Sequence, residues 1–304
     1  MLKIVVLLRL DEEMMKNNFF SEKFFNSEDI NFLLTNRIPR IALTHLMGRM
    51  SQIRNPLFTK MAIWVWKRFT NLELEDTQSS GFESIHDCFI RALKPGTRPI
   101  DTRANLITSP CDGIIGEFGS IVDGQLFQAK GFGYTLKDLL GEDSLNHQWQ
   151  NGTFVTIRIT SAMYHRFHAP FPGQIKRMRY FSGDTWNVNP IALKRVEKLF
   201  CKNERALLQY EICEGRYTLA LIPVAAVLVA SIKLHGIDPL LSLNYKGPVD
   251  MQCLIDFEKG QEMGWFQHGS TILMFAPPGF EILPNWSVGD RVRMGQGLMS
   301  LPSD

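Results

Sequence analysis

From about residue 82 onward, short apolar runs alternate with turn-forming strings at close intervals. These strings are PIDT, SPCDG, VDGQ, KGFG, PFPG, SGD, CEG, YKGP, APPG and SVGD. Gly, Pro, Asn and Asp each favour turns, so a series of them at this spacing is typical of strands joined by short loops. The pattern predicts a β-rich, mostly antiparallel body, with short helices at Leu136–Leu140 and Ile191–Leu199.

Length and composition fit a globular protein. The chain has 304 residues, 45% hydrophobic and 21% charged, enough to bury a large core. The longest uncharged run, Tyr217–Ile232, is shorter than the ~18–20 residues of a spanning helix. It contains Pro223 and several valines, so we expect buried strands there. The apolar start is interrupted by Arg9 and followed by acidic residues 11–13, which argues against a secretion signal.

The five cysteines indicate free thiols in a reducing compartment. Their number is odd, they lie far apart, and they form no C-x-x-C pair. They are Cys88, Cys111, Cys201, Cys213 and Cys253. Because they form no cluster with metal-ligand spacing, we expect no metal site.

A basic, apolar segment precedes the β-rich body. Between Asn31 and Thr70 the chain has seven Lys or Arg residues and no Asp or Glu. Apolar residues from Ile38 to Met50 follow helical spacing, and FTKMAIWVWKRF after Pro56 does so too. The segment therefore predicts two amphipathic helices.

Basic amphipathic helices with aromatic residues suit a protein that lies on an anionic bilayer, because Lys and Arg meet headgroups while rings sit at the acyl boundary. A helical hairpin with a solvated basic face is the alternative. Nucleic-acid binding is not expected, since the aromatics flank apolar stretches. The predicted class is α+β, with this helical region at 1–76 and the β-rich domain at 77–304. The residues predicted to contact the membrane are Arg37, Arg40, Arg49, Trp64, Trp66, Lys67 and Arg68.

The stretch SAMYHRFHAPFPG contains two histidines three positions apart, His165 and His168. On a strand or loop they would point to different faces, which does not suit a metal pair. With Arg166 between them they could act as general acid and general base, or they could be polar residues that cap a turn. Asp112, in SPCDGIIGEFG, could orient a histidine or could serve only the Asp-Gly turn.

A third stretch, QEMGWFQHGSTILMF, places Gly269, Ser270 and Thr271 directly before four apolar residues. A turn before a buried strand explains this string, and so does a serine that attacks its own chain. WSVGDRVRMGQGLMSL and SPCDGII are also similar to the half-motifs of biotinyl and lipoyl carrier domains, although no lysine stands between them in the required context. The residues alone leave these alternatives open.

Taken together, the motifs resemble phosphatidylserine decarboxylase proenzymes of the bacterial type. Asp-Gly, YHRFHAP and KGQEMGWFQHGST follow one another in the family's order. RPIDT, FQAKGFGYTLKDLLG, NGTFVTIRIT and KNERALL are further similar segments. The resemblance covers roughly residues 80–300, with a weaker match across the basic helices. One departure is His268, which stands where bacterial members usually have Leu.

The resemblance implies a role for each motif residue. Ser270 is similar to the serine that becomes a pyruvoyl group, with self-cleavage at the Gly269–Ser270 bond. His168 matches the histidine that activates this serine, and Asp112 matches that histidine's partner. His165 matches the residue assigned to decarboxylation of the substrate.

The resemblance also implies a reaction and a setting. Decarboxylation of phosphatidylserine to phosphatidylethanolamine leaves a carbanion next to nitrogen, and a pyruvoyl ketone can serve as the electron sink. Self-cleavage would give chains 1–269 and 270–304, which stay together. The expected partners are phosphatidylserine in an anionic bilayer and a second copy in a homodimer, at a peripheral location on the cytoplasmic face of the inner membrane. The alternative is a non-catalytic, membrane-associated β domain that does not cleave itself.

Overall fold

The computed structural model describes residue 32 and residues 39–127, 132–142, 144–226, 231–238, 240–242, 245, 249–267 and 270–303. Within these ranges the helices are α1 (Arg40–Ser51), α2 (Pro56–Phe69), α3 (Ile85–Phe89), α4 (Leu136–Leu140), α5 (Pro190–Arg195) and α6 (Leu199–Lys202), with a 3₁₀ helix at Ser144–Trp149. Of the helices in the described ranges, none is both long and apolar enough to cross a membrane.

Strands form most of the regular structure. They are β1 (Leu106–Thr108), β2 (Gly113–Ser120), β3 (Gln125–Phe127), β4 (Gly133–Thr135), β5 (Thr153–Ile159), β6 (Arg166–His168), β7 (Gly173–Phe181), β8 (Arg205–Ile212), β9 (Tyr217–Ala225), β10 (Ser231–Leu234), β11 (Leu241–Ser242), β12 (Asp250–Phe257), β13 (Glu262–Phe266), β14 (Ser270–Ala276), β15 (Glu281–Ile282), β16 (Arg291–Val292) and β17 (Gly297–Ser300). Neighbouring strands pair antiparallel, which confirms the predicted β-rich, mostly antiparallel body.

The main sheet has eight strands, in the order β12-β7-β8-β9-β14-β5-β2-β16. β14 lies near its centre, between β9 and β5. The uncharged run around Pro223 supplies β9 and the start of β10, as expected for buried strands. The pairing of β14 with β5 and β9 thereby places Ser270, near the end of the sequence, beside strands from the middle of the sequence.

Two hydrophobic cores lie on opposite faces of the main sheet. A four-stranded sheet, β11-β10-β13-β6, covers one face, where Ile272 of β14 packs with Phe266. The short helices between residues 136 and 202 cover the other face, where Leu273 packs with Trp149. Because successive side chains of a strand point to opposite faces, β14 contributes to both cores. Each fully buried side chain of this size stabilises the fold by about 1.5–3 kcal/mol.

Of the two predicted short helices, one is confirmed and the other is wrong in extent. The helix predicted at Leu136–Leu140 is present as α4, where the side chains of Thr135 and Asp138 cap each other's backbone N–H groups. The single helix predicted over Ile191–Leu199 is wrong in extent, because the chain forms α5 and α6 with a break between them. Lys198 in this break has a φ of 51°, a left-handed conformation that a continuous helix excludes.

The helix α2 begins where the sequence predicts. Asn55 accepts a 3.0 Å hydrogen bond from the backbone N–H of Phe58, and Pro56 is the first helical residue. The buried face of α2 packs against α3, with the ring of Trp66 4.3 Å from that of Phe89. Trp66 is only 8% exposed, so the prediction that it contacts a membrane is wrong. Its ring stabilises the packing between these helices instead.

Arg40 is also predicted to contact a membrane, and this stays a prediction, although the side chain is held within the protein. Its guanidinium pairs with Asp184 at 2.5 Å and stacks 3.8 Å above the ring of Trp186. Arg37 lies outside the described residues. The remaining predicted contacts stay predictions, and all of them are exposed: Arg49, Trp64, Lys67 and Arg68. The boundary at residue 76 also stays a prediction, and α2 packs on α3 across it.

Candidate active site

Ser270 is the first residue of β14, and its backbone pairs with Ile159 on one side and Ala225 on the other. Gly269, the other residue of the predicted cleavage point, and His268 before it lie outside the described ranges. The strand that follows, from Thr271 to Ala276, is at most 1% exposed. A chain terminus created at residue 270 would therefore be held by backbone pairing on both sides and by buried side chains.

The two histidines lie in the interior, beside the smaller sheet. His168 is the last residue of β6, and its backbone N–H donates to the carbonyl of Pro110 at 2.7 Å. His165 is fully buried, and its ring meets that of Phe89 edge-on at 5.4 Å. Its carbonyl accepts from the N–H of Phe266 at 3.0 Å. Burial of this kind suits a reaction site better than a solvent-facing turn.

The ring of His168 is held at both nitrogens. Nδ1 lies 2.9 Å from the carbonyl oxygen of Gly260, and Nε2 lies 2.9 Å from the hydroxyl of Tyr164. Because a carbonyl oxygen only accepts, Nδ1 carries the proton and Nε2 accepts from the Tyr164 hydroxyl. Burial lowers the pKa of His168 below its ordinary value, against the opposing effects of the Gly260 hydrogen bond and the charges of Glu262 and Asp112. The imidazole is neutral, with Nε2 as its basic nitrogen.

Asp112 has a different hydrogen-bond partner from the one that the resemblance implies. Its carboxylate accepts from Arg98 at 3.0, 3.0 and 2.6 Å and from the backbone N–H of Met294 at 2.9 Å. Within the described structure no hydrogen bond joins Asp112 to His168. The negative charge of Asp112 nevertheless raises the pKa of His168, against the effect of burial. Asp112 therefore acts on His168 through space.

Three residues around the histidines were not singled out from the sequence: Arg91, Arg98 and Tyr164. Arg91 is 3% exposed and donates to one carbonyl of α3 and to two carbonyls just before Tyr164, at 2.9–3.1 Å. It thereby fixes the segment that leads into the histidines. Arg98 and Tyr164 belong to RPIDT and YHRFHAP, so their place in family-like segments is the signal that could have found them. In the described ranges, no group of three or more His, Cys, Asp and Glu side chains could hold a metal ion.

A buried carboxyl group lies two strands away from Ser270. The carbonyl of Glu204 accepts from the N–H of Ala225 at 2.8 Å, and Ala225 pairs with Ser270. The hydroxyl of Tyr180 lies 2.5 Å from the Glu204 carboxyl and 3.0 Å from the carbonyl of Ser242. Because a hydroxyl has one proton and a carbonyl only accepts, both bonds form together only when Glu204 is protonated. Burial raises the pKa of Glu204 to about 7, against the effect of the Tyr180 hydrogen bond.

Known proteins are similar to this one in sequence over most of the chain. The sequence model of the phosphatidylserine decarboxylase family matches residues 85–300. A phosphatidylserine decarboxylase proenzyme from Polaromonas naphthalenivorans is 35% identical over 276 residues, which cover 88% of this chain and 95% of that protein. The proenzymes of Shewanella sp. (strain MR-4) and Methylobacillus flagellatus are each 34% identical, covering 90% and 86% of this chain and 97% and 95% of their own. This chain belongs to the phosphatidylserine decarboxylase family.

Proposed function

We propose that this protein decarboxylates phosphatidylserine to phosphatidylethanolamine and carbon dioxide, after it cleaves its own chain between Gly269 and Ser270. Family membership supports the activity, and the word proenzyme in the names of its relatives supports a maturation step. The observation that carries the proposal is the position of Ser270 at the start of a central strand paired on both sides. Ser270 is the residue that becomes the pyruvoyl group.

The fold suits a prosthetic group formed at a new chain terminus. After cleavage the small chain, residues 270–304, would keep β14 paired with β5 and β9, β16 paired with β2, and β17 paired with β1. Three strands of the small chain are therefore paired with strands of the large chain. We therefore expect chains 1–269 and 270–304 to stay together without a covalent link.

A pyruvoyl group here would supply a ketone that condenses with the substrate amine and takes up the electron pair left by departing carbon dioxide. The residues of the chain provide the rest of the site. His168 offers a neutral imidazole whose Nε2 can accept a proton during maturation, and Asp112 favours the cation that results. We assign proton transfer during decarboxylation to His165, and its burial beside Phe89, away from bulk water, supports that role.

The exposed faces of α1 and α2 support action at a membrane surface. Leu57, Met61 and Trp64 are 82%, 55% and 67% exposed and lie four and three positions apart, on one face of α2. Further apolar and basic residues are exposed on the same helices: Ile41, Leu46, Arg49, Lys60, Lys67 and Arg68. An anionic bilayer attracts such a surface through both apolar burial and charge.

The proposed location is therefore peripheral, on the cytoplasmic face of the inner membrane, where anionic lipids would meet the basic residues of α1 and α2. Phosphatidylserine would reach the site from that bilayer. The homodimer expected from the resemblance stays a prediction, which sedimentation of the purified protein would test.

The proposed activity is tested on phosphatidylserine vesicles. Wild-type protein should form phosphatidylethanolamine with release of carbon dioxide, and hydroxylamine, which reacts with ketones, should abolish the reaction. Ser270→Ala should be inactive and uncut. The matched control is Thr271→Val, because the Thr271 hydroxyl is buried and finds no hydrogen-bond partner among the described residues. An uncut wild-type protein with full activity would contradict the proposal.

A further inference from the structure

A second carboxylate lies opposite His168 on the neighbouring strand. Glu262, the first residue of β13, pairs with His168, the last residue of β6. The N–H of Ala169 donates to the carbonyl of Gln261 at 2.8 Å, one position outside this pair. Glu262 and His168 are therefore a pair without hydrogen bonds between their own backbones, the type of antiparallel pair in which side chains lie closest. Both side chains leave the same face of the four-stranded sheet.

The Glu262 carboxylate is fixed by two basic side chains. Its oxygens accept from Nη1 of Arg166 at 3.0 and 2.8 Å, and Oε1 also accepts from Nε2 of His235 at 2.8 Å. The rest of the Arg166 guanidinium donates to the carbonyl of Ile90 at 2.9 and 2.6 Å, which holds it in place. The side chains of Arg166 and Glu262 are only 20% and 23% exposed. Water and salt therefore screen the charge of Glu262 less than that of a surface carboxylate.

Several groups act on the charge of His168. Burial has the largest effect and lowers its pKa. The hydrogen bond to the Gly260 carbonyl, the charge of Glu262 and the charge of Asp112 raise the pKa, in that order, and the charge of Arg166 lowers it with the smallest effect of the five. Of the charged side chains that act on His168, Glu262 therefore favours its cation most.

We propose that Glu262 is a positioning residue of this site, whose carboxylate stabilises the cation that His168 forms when a proton reaches Nε2. The inference rests on the proposed function, because maturation is the step in which His168 would take up that proton. The Tyr164 hydroxyl, 2.9 Å from Nε2, can turn and accept from the protonated ring. Nδ1 keeps its bond to the Gly260 carbonyl. Neither ring contact is lost on protonation, so the effect of the Glu262 charge adds to them.

The alternative is a purely structural role for Glu262, since its bonds to Arg166 and His235 also tie β13 to β6 and to the end of β10. The two roles differ in what the loss of charge does. Glutamine at position 262 keeps an oxygen that can accept from Arg166. A structural role would then leave the titration of His168 unchanged, whereas an electrostatic role requires it to shift.

The first test follows the titration of His168 itself. Full-length Ser270→Ala protein with isotope-labelled histidine is titrated by NMR, and the His168 signal is identified by its loss in His168→Gln. We expect Glu262→Gln to lower the midpoint of this titration. Glu258→Gln is the matched control, because it removes the same charge from an exposed side chain four positions earlier, and it should leave the midpoint unchanged. A midpoint that is unchanged or raised in Glu262→Gln would overturn the inference.

A second pair of variants decides the question where Glu262→Gln alone does not fold. Arg166→Gln removes a charge that disfavours the His168 cation, so the midpoint should rise. Adding Glu262→Gln to Arg166→Gln should lower it again, because the remaining carboxylate is lost. If the added substitution leaves the midpoint where Arg166→Gln put it, Glu262 has no electrostatic role.

The rate of chain cleavage connects this role to maturation. Precursors made by cell-free translation are followed over time at neutral pH. We expect Glu262→Gln to cleave about tenfold more slowly than wild type, a part of the about 100-fold that a general base contributes. Glu258→Gln should cleave at the wild-type rate. Cleavage of Glu262→Gln at the wild-type rate would overturn the inference as a statement about maturation.

The two proposals fail in different ways. If the His168 midpoint shifts as expected but wild-type precursor never cleaves, the electrostatic role of Glu262 stands and the proposed function fails. If wild-type precursor cleaves and Ser270 is converted, but the midpoint is the same in Glu262→Gln, only the role of Glu262 fails.

Discussion

Arg98 holds the carboxylate of Asp112 through three hydrogen bonds of 2.6–3.0 Å, and the two side chains are only 5% and 3% exposed. Taking a carboxylate out of water costs several kcal/mol unless a partner compensates the charge. Arg98 also pairs with Asp76 at 2.8 Å, but the Asp76 side chain is 43% exposed. The local structure therefore depends on the pair of Arg98 with Asp112.

We expect Arg98→Met to lower the free energy of unfolding by about 3–5 kcal/mol, because it leaves Asp112 buried without its cation. Urea unfolding of the uncut Ser270→Ala background measures this without interference from cleavage. Asp76→Asn is the control and should cost less than about 1 kcal/mol, since an exposed pair contributes little. Equal costs for the two variants would contradict this account of Asp112.

Gly260→Ala should disturb the site through the carbonyl that holds His168. Gly260 has a φ of 78°, and an added Cβ would lie 2.4 Å from Cδ1 of Ile100. The Ile100 side chain or the backbone at residue 260 must then shift, and a backbone shift would lengthen the hydrogen bond that fixes the imidazole tautomer. We expect slower chain cleavage, by tenfold or more if the general-base contribution of about 100-fold is partly lost.

Gly96→Ala is the matched control for backbone strain. Gly96 has a similar φ of 82°, and nothing lies within 4 Å of the added Cβ. Both variants should lose about 1–2 kcal/mol of stability from the left-handed conformation, but only Gly260→Ala should slow cleavage. If Gly96→Ala slows it as much, the effect is one of general stability and the role assigned to the Gly260 carbonyl is wrong.

Glu204 should make stability fall as the pH rises. Burial raises its pKa from the ordinary 4.5 to about 7, so between these values the folded state holds a proton that the unfolded state has lost. This contribution is fully present below about pH 4.5 and is lost as the pH rises through about 7, by an amount on the order of 3 kcal/mol. Urea unfolding of uncut protein across this pH range measures how steeply the free energy of unfolding changes with pH.

Glu204→Gln should flatten that slope, because the amide keeps a donor for the Tyr180 oxygen at every pH. The Tyr180 hydroxyl can then continue to donate to the carbonyl of Ser242. At each pH the free energy of unfolding of Glu204→Gln is subtracted from that of the parent protein. This difference cancels the contributions of other titrating groups. An unchanged slope in Glu204→Gln would assign the pH dependence to a different residue.

Trp64 and Trp66 should respond in opposite ways to substitution. Trp66 packs on Phe89, so Trp66→Ala should cost about 3–5 kcal/mol of stability. Trp64 is 67% exposed, so Trp64→Ala should change stability by less than about 0.5 kcal/mol. If α2 lies on the bilayer, Trp64→Ala should weaken binding to phosphatidylserine-containing vesicles by about tenfold. Unchanged vesicle binding by Trp64→Ala would contradict the proposed membrane face.

The sequence predicts the strand content and the chemistry better than it predicts contacts. Turn signals follow local preferences of Gly, Pro and Asp, so the β-rich body and the strand after Ser270 could be read from residues a few positions apart. The sequence does not predict which of Trp64 and Trp66 is exposed. Residues two apart on a helix face different directions, and the apolar segment does not reveal which side is covered. Only the packing of α3 decides this.

Partners far apart in sequence explain the remaining differences. Asp112 meets Arg98 fourteen positions earlier, whereas Nδ1 of His168 meets the carbonyl of Gly260 ninety-two positions later. A backbone carbonyl has no residue-type signature, so no motif could have indicated that second contact. Its position depends on the pairing of β6 with β13, which is a property of the whole sheet.

The intact mass of the purified protein, with Ser270→Ala alongside, tests the central claim most directly. We expect two chains from the wild type, one ending at Gly269 and one starting at residue 270, whose masses sum to that of the precursor plus one water less one ammonia. Ser270→Ala should give a single chain. A single uncut chain from the wild type, or a small chain with the mass of an ordinary serine terminus, would contradict the conversion of Ser270 to a pyruvoyl group.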